Sequence, residues 1–214
     1  MPKKKEIFQR YSAFFLLVLS LFALTGCLNL NPGPPPAVYM LNPALLTPKH
    51  GPAKEIQLSI TAPGSDYVLS GESVVTLSPE GEVRYWANTA WSSPVPNLLQ
   101  GLLVAAFEPV DNITAMPNSA LGFLPEYRLL TELRQFAVLL DARGNPEFVA
   151  VALACYLIDL RTGKSLGYLN SEHKVAVEGA AFTNALDAYN KATGAALNEI
   201  TAWATAKLSK AKSK

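Results

Sequence analysis

The apolar run at residues 14–24, closed by Leu24-Thr25-Gly26-Cys27, limits what this chain can fold into more than any other feature. A basic stretch precedes it, with Lys3, Lys4, Lys5 and Arg10. The run is about half of the ~20 apolar residues that span a bilayer core, so it reads as a secretory signal rather than a transmembrane helix. Leu-small-Gly-Cys is the pattern of a bacterial lipobox. The expectation is cleavage between Gly26 and Cys27, with the Cys27 thiol joined to diacylglycerol. The fold must then be built after Cys27, and Cys155 is left with no cysteine to pair with. Stability has to come from a core, without a disulfide framework.

Composition agrees. Hydrophobic residues make up 50% of the chain, part of it contributed by the signal. Loss of residues 1–26 removes four basic residues and one acid, so the formal charge of +1 becomes weakly negative. A weakly acidic body argues against nucleic acid as a partner. Lipid anchored through Cys27 ties the chain to a membrane, because each buried methylene contributes about 0.8 kcal/mol and two or three acyl chains hold it firmly. Leu28 rather than Asp at the second position favours the periplasmic face of the outer membrane.

Residues 27–37 form a proline-rich tether containing Asn31-Pro32-Gly33-Pro34-Pro35-Pro36. In polyproline II, at about 3.1 Å per residue, it reaches roughly 30 Å. A domain is expected over 38–208, with a basic tail at 209–214. Short strands are predicted at 39–41 and 56–60, and 73–77 and 82–86 form a hairpin around Ser78-Pro79-Glu80-Gly81. Ser93 and Pro94 look like the N-cap and first residue of a helix. Its apolar stripe runs through Val95, Leu98, Leu99, Leu102, Leu103, Ala106 and Phe107, and Pro109 ends it. A short strand is expected near 112–114.

Three long strands follow, at 127–140, 148–159 and 165–175. Short turns rich in Gly, Asn and Pro join them into an antiparallel meander. A final helix spans about 180–208, with Phe182, Leu186, Tyr189, Thr193, Leu197, Ile200 and Ala204 on one face. The expected fold is α+β, a single domain in which a mostly antiparallel sheet carries two main helices on one face. Within the central strand, Ala150, Ala152 and Ala154 alternate with Val149, Val151 and Leu153, so both faces are apolar. That pattern predicts cover on both sides and a homo-oligomer or partner contact through the sheet.

No chemistry-bearing constellation stands out. His50 lies in a proline-flanked loop and His173 in a strand, and both read as surface residues. Glu80 and Glu82 read as solvated turn carboxylates. There is no Gly-x-Ser-x-Gly elbow, phosphate loop or metal-ligand spacing. The expectation is therefore a non-enzyme without catalytic residues, metal or cofactor.

The order of elements, Tyr39-x-Leu41 after the tether, Tyr85-Trp86-Ala87 in the hairpin, Trp91-Ser92-Ser93-Pro94-Val95-Pro96, then Tyr127-Arg128-Leu129 with Arg134-Gln135-Phe136 and a closing helix ending in Ile200-x-x-Trp203, resembles the ABC-type transport auxiliary lipoproteins. The resemblance runs from about Tyr39 to Trp203. It implies an auxiliary lipoprotein of a trans-envelope lipid transport system. Its expected partners are an Mce-domain protein and ABC transporter components, with the periplasmic conduit docked at the membrane. The competing reading is a structural or assembly scaffold of the cell envelope. One proline-broken apolar stretch, Ala120-Leu121-Gly122-Phe123-Leu124-Pro125, finds no place in this scheme.

Overall fold

The computed structural model describes residues 34–45 and 56–212, so Cys27, the signal segment and His50 lie outside the described residues. The elements, in order, are strands β1 (Ala37–Tyr39), β2 (Ile56–Ile60), β3 (Gly64–Ser65), β4 (Ser73–Leu77) and β5 (Val83–Trp91), helix α1 (Val95–Phe107), strands β6 (Ile113–Pro117), β7 (Tyr127–Leu140), β8 (Pro146–Asp159) and β9 (Lys164–Ala176), and helix α2 (Phe182–Lys212). A 3-10 turn at Tyr67–Leu69 links β3 to β4. They form one α+β domain with a nine-stranded sheet.

The meander β7–β8–β9 falls where the alternation and turn residues place it, with both pairings antiparallel. The expected hairpin is there as well, with β4 and β5 antiparallel. The remaining pairings correct the expectation. One edge of β7 is joined in succession by β2 at Leu58–Ile60, β3 at Gly64–Ser65 and β4 at Thr76–Leu77, all parallel. The pairs β1–β5 and β2–β6 are parallel too. The sheet is thus mixed, with five parallel pairings against three antiparallel ones among the described residues. Parallel partners need long connections, such as the one from β2 to β6, which runs through β3, β4, β5 and α1, and periodicity within a strand carries no sign of them.

Both helices lie against one face. Leu58, Ile60, Tyr127, Leu129, Val151, Leu153 and Leu157 point inward and are buried with α1 residues Leu99 and Leu103 and α2 residues Ala192, Leu197 and Ile200 in one core. Leu99 and Leu103 are fully buried, each contributing roughly 1.5–3 kcal/mol. In α1, Leu98 and Leu102 are only partly buried, at the edge of the stripe.

The start of α1 also departs from expectation. Pro94 occupies the cap position and no side chain caps the helix. The carbonyl of Gly71 accepts from Val95 N–H at 3.0 Å, so a tertiary contact satisfies a donor that a serine cap would otherwise take. Helix α2 runs four residues beyond the expected end, into the segment read as a tail. Gly194 does not interrupt it. A Cβ there would stand 3.0 Å from the carbonyl oxygen of Ala44, so glycine lets residues 41–45 cross the helix closely.

Candidate functional site

The residues that follow the tether are knitted into the domain. β1 pairs in parallel with Thr89–Trp91 of β5. Tyr39 then meets Phe182 edge-on, with ring centres 4.5 Å apart, and Trp86 packs on the same ring at 5.3 Å. Trp91 continues inward to Tyr189 at 5.0 Å and Phe136 at 5.6 Å. Edge-to-face aromatic pairs contribute about 0.5–1.5 kcal/mol beyond area burial. Farther along, Asn42 N–H donates to Asn190 Oδ1 at 2.8 Å, and Asn198 Nδ2 donates to the Ala44 carbonyl at 3.3 Å. The tyrosine and tryptophan motifs therefore serve to clamp the entering chain onto the start of α2. Trp91 is a core residue and Trp86 is half-buried. The groove beside the clamp, about 530 Å³, has a mixed lining, with Asn42, Asp187, Asn190 and Lys191 on its walls beside Ala44 and Ala195.

The sheet face opposite the helices has a second character. The strand register aligns Ala150, Ala152 and Ala154 along the middle of β8, and all three are buried although no helix covers them. Their cover comes from neighbouring strands. A bulge between Leu133 and Gln135 leaves Arg134 without a partner in the ladder, so Arg134 and Gln135 both turn to this face. Arg134 then reaches across β8 to donate to Tyr168 Oη at 3.2 Å and Asn170 Oδ1 at 3.3 Å on β9. Lys174 lies over the Phe148 ring at 3.9 Å. Small side chains on β8 leave room for these long ones to lie flat with their stems on apolar surface. Side chains of the neighbouring strands thus bury the alanine spine within this chain.

His173 is not a plain surface residue. It points inward with Ser171, and both meet Glu199 of α2: Ser171 Oγ donates to Glu199 Oε2 at 2.6 Å, and His173 Nε2 lies 2.9 Å from the same oxygen. Sequence reasoning missed this group because Glu199 is 26 residues away on another element; the i, i+2 spacing of Ser171 and His173 was the available signal. Ser171 and His173 of β9 thus join Glu199 of α2 in a strand-to-helix strut.

The Ser171 hydrogen bond holds the Glu199 carboxyl below its ordinary pKa, burial opposes this, and His173 adds to the lowering. A lowered folded-state pKa contributes stability that is full above the unfolded-state value and is lost as pH falls through the folded one. Denaturant melts across a pH series should therefore show a smaller acid-side loss of stability in Glu199→Gln than in the parent. Identical pH slopes would exclude the strut as a contributor.

Cys155 is buried, and burial pushes its thiol up to about 12, with Glu199 adding to the rise. It is an inert core residue rather than a nucleophile. Glu82 pairs with Arg84 at 2.8 Å on the exposed hairpin, as a solvated turn carboxylate does. Among the described residues no group of His, Cys, Asp and Glu could hold a metal, and no helix is long and apolar enough to cross a membrane.

The family model for the ABC-type transport auxiliary lipoprotein component matches residues 39–201, from the clamped tyrosine to the middle of the last helix turns. The chain belongs to that family. Transport auxiliary lipoproteins are cell-envelope proteins, and this chain is one of them. A crystal structure of a Xanthomonas campestris protein assigned to DUF330 superposes with a TM-score of 0.72 at 16% identity, covering 83% of this chain and 100% of that one. A second solved structure, of an uncharacterized protein, gives 0.60 at 15% identity, with 78% and 97% covered. At such identities they show a shared fold. A search of curated proteins found no match.

Proposed function

We propose that this auxiliary lipoprotein is a non-catalytic, membrane-tethered docking subunit of an Mce-type trans-envelope lipid transporter, holding the periplasmic conduit at the membrane that carries Cys27. The observation that carries this reading is the aromatic clamp. The strand immediately after the tether is paired to β5 and locked by Tyr39 onto Phe182, so a pull on the anchor is delivered to the core rather than to a loose end. A docking subunit needs that load path; a diffusible carrier does not. Confinement to one membrane surface also raises the local concentration of the domain for a membrane-proximal partner. The periplasmic face of the outer membrane suits Leu28 after Cys27, and self-association would multiply the contacts made with a conduit.

The test is affinity purification from mildly crosslinked envelopes, comparing the parent with Cys27→Ala. Recovery of an Mce-domain protein with the parent, and its loss with the variant, is the expected result. Recovery of cell-wall or outer-membrane assembly factors alone would replace the transporter reading with the envelope scaffold.

A further inference from the structure

The apolar stretch that found no place in the sequence scheme forms an exposed tip. Residues 118–126 link β6 to β7. Their ends are pinned: Asn118 N–H donates to the Ile60 carbonyl at 3.0 Å and Glu126 N–H to the Gln57 carbonyl at 3.0 Å. Between these pins the chain turns through Gly122, whose φ of 75° suits glycine. Leu121 and Leu124 stand out at 101% and 83% exposure; among the other described leucines only Leu130 is exposed. From Asn112 to Pro125 there is not one charged side chain. A charge-free tip enters an apolar medium without paying for charge desolvation.

What surrounds the tip completes the picture. On the open face, the register aligns Leu130, Tyr156 and Tyr168 in one row near the start of β7, with Leu130 and Tyr168 exposed. Tyrosine, apolar at one end and wet at the other, suits a membrane–water interface. The same end of the domain is basic. The Glu126 carboxylate lies 3.6 Å from Lys212 Nζ, which brings the last turn of α2, with Lys210, beside the loop. Leu160 N–H donates to the Glu126 carbonyl at 2.9 Å, which places the β8–β9 turn, with Arg161, there too. Arg128 stands one residue into β7. Of the acids here, Glu126 pairs with Lys212 and Asp159 with Arg161, while Asp111 precedes β6 on the other side of β2, next to Asn112, whose carbonyl accepts from Ile56 N–H.

We infer that this end of the domain, with Leu121 and Leu124 at its tip and Arg128, Arg161 and Lys210 around it, docks onto an anionic phospholipid bilayer. The leucines enter the headgroup boundary while the basic side chains meet lipid phosphates, the combination by which surface-seeking segments bind. This is a second lipid contact, separate from the acyl anchor and independent of the transporter reading.

The experiment places an environment-sensitive dye at Leu121→Cys in the full lipidated chain, reconstituted into vesicles. Cys155 is buried and Cys27 acylated, so the dye goes to the new thiol. On phosphatidylethanolamine vesicles containing phosphatidylglycerol, the dye should shift to the blue and be quenched by spin-labelled acyl chains. It should do so far less on phosphatidylcholine alone, and not at all at the control position Lys191→Cys. Leu124→Ser should lower the equilibrium constant for insertion about tenfold. Its melting temperature should be unchanged, since Leu124 is exposed. Dye that stays in water on both kinds of vesicle overturns the inference. So does dye that is shielded only when solubilised envelope proteins are added, which would make the tip a protein contact. No transport component is present, so failure here leaves the transporter reading to its own test.

Discussion

Trp91→Ala should remove a large share of the stability of this domain, by about 3–5 kcal/mol, as emptying a large aromatic site does. Trp91 is 1% exposed and touches Phe136, Phe182 and Tyr189, so its loss opens a cavity that three rings cannot all move to fill. Domains of this size hold about 5–15 kcal/mol in total. At about 2–4 °C per kcal/mol, the melting temperature should fall by roughly 6–20 °C. The damage should also reach β1 and the segment after it, because Trp91 is the register partner of Tyr39. Limited proteolysis should therefore cut near residues 37–45 sooner in the variant than in the parent. A melting temperature within 2 °C of the parent, a limit about equal to the shift from 1 kcal/mol, would show that Trp91 is not part of a rigid core.

Tyr189 offers a prediction with two signs. Its ring is fully buried, 4.7 Å from Phe136 and 5.0 Å from Trp91. Its hydroxyl is buried too and has no protein hydrogen-bond partner, and burial pushes its pKa upward. Tyr189→Ala should cost about 3–5 kcal/mol by the cavity argument. Tyr189→Phe keeps the ring and deletes the polar atom, and should raise stability by about 1 kcal/mol, because an unmet buried polar group costs about 1–3 kcal/mol. Denaturant melts of the two variants separate packing from polarity. A Phe variant less stable than the parent would mean that the hydroxyl is satisfied after all. Because the rings touch, the combined Trp91→Ala and Tyr189→Ala loss should fall short of the sum of the single losses.

The parts legible in the sequence were those governed by local periodicity. The alternation from Tyr127 to Leu133 marked β7 to the residue, and the stripe from Val95 to Phe107 marked α1. Turn residues at Arg143-Gly144-Asn145-Pro146 and Arg161-Thr162-Gly163-Lys164 marked the meander, and both glycines take the positive φ that such turns require. The burial of Cys155 followed from its apolar neighbours. The polar doublet Arg134-Gln135 interrupts the alternation of β7 and was the visible trace of the bulge. What it does there, throwing Arg134 across β8 onto Tyr168 and Asn170, depends on a strand thirty-four residues away in sequence.

By itself, then, the chain determined its element types, its helix-bearing face and its family, because side-chain spacing and turn chemistry act within a few residues. Only the tertiary structure decided the parallel docking of β2, β3 and β4 along one edge of β7, the meeting of Ser171 and His173 with Glu199, and the gathering of Leu121, Leu124 and the α2 lysines at one end. Each of these joins segments that are distant in sequence. Such partners are selected by the closing of the whole core, and no period within a single segment records them.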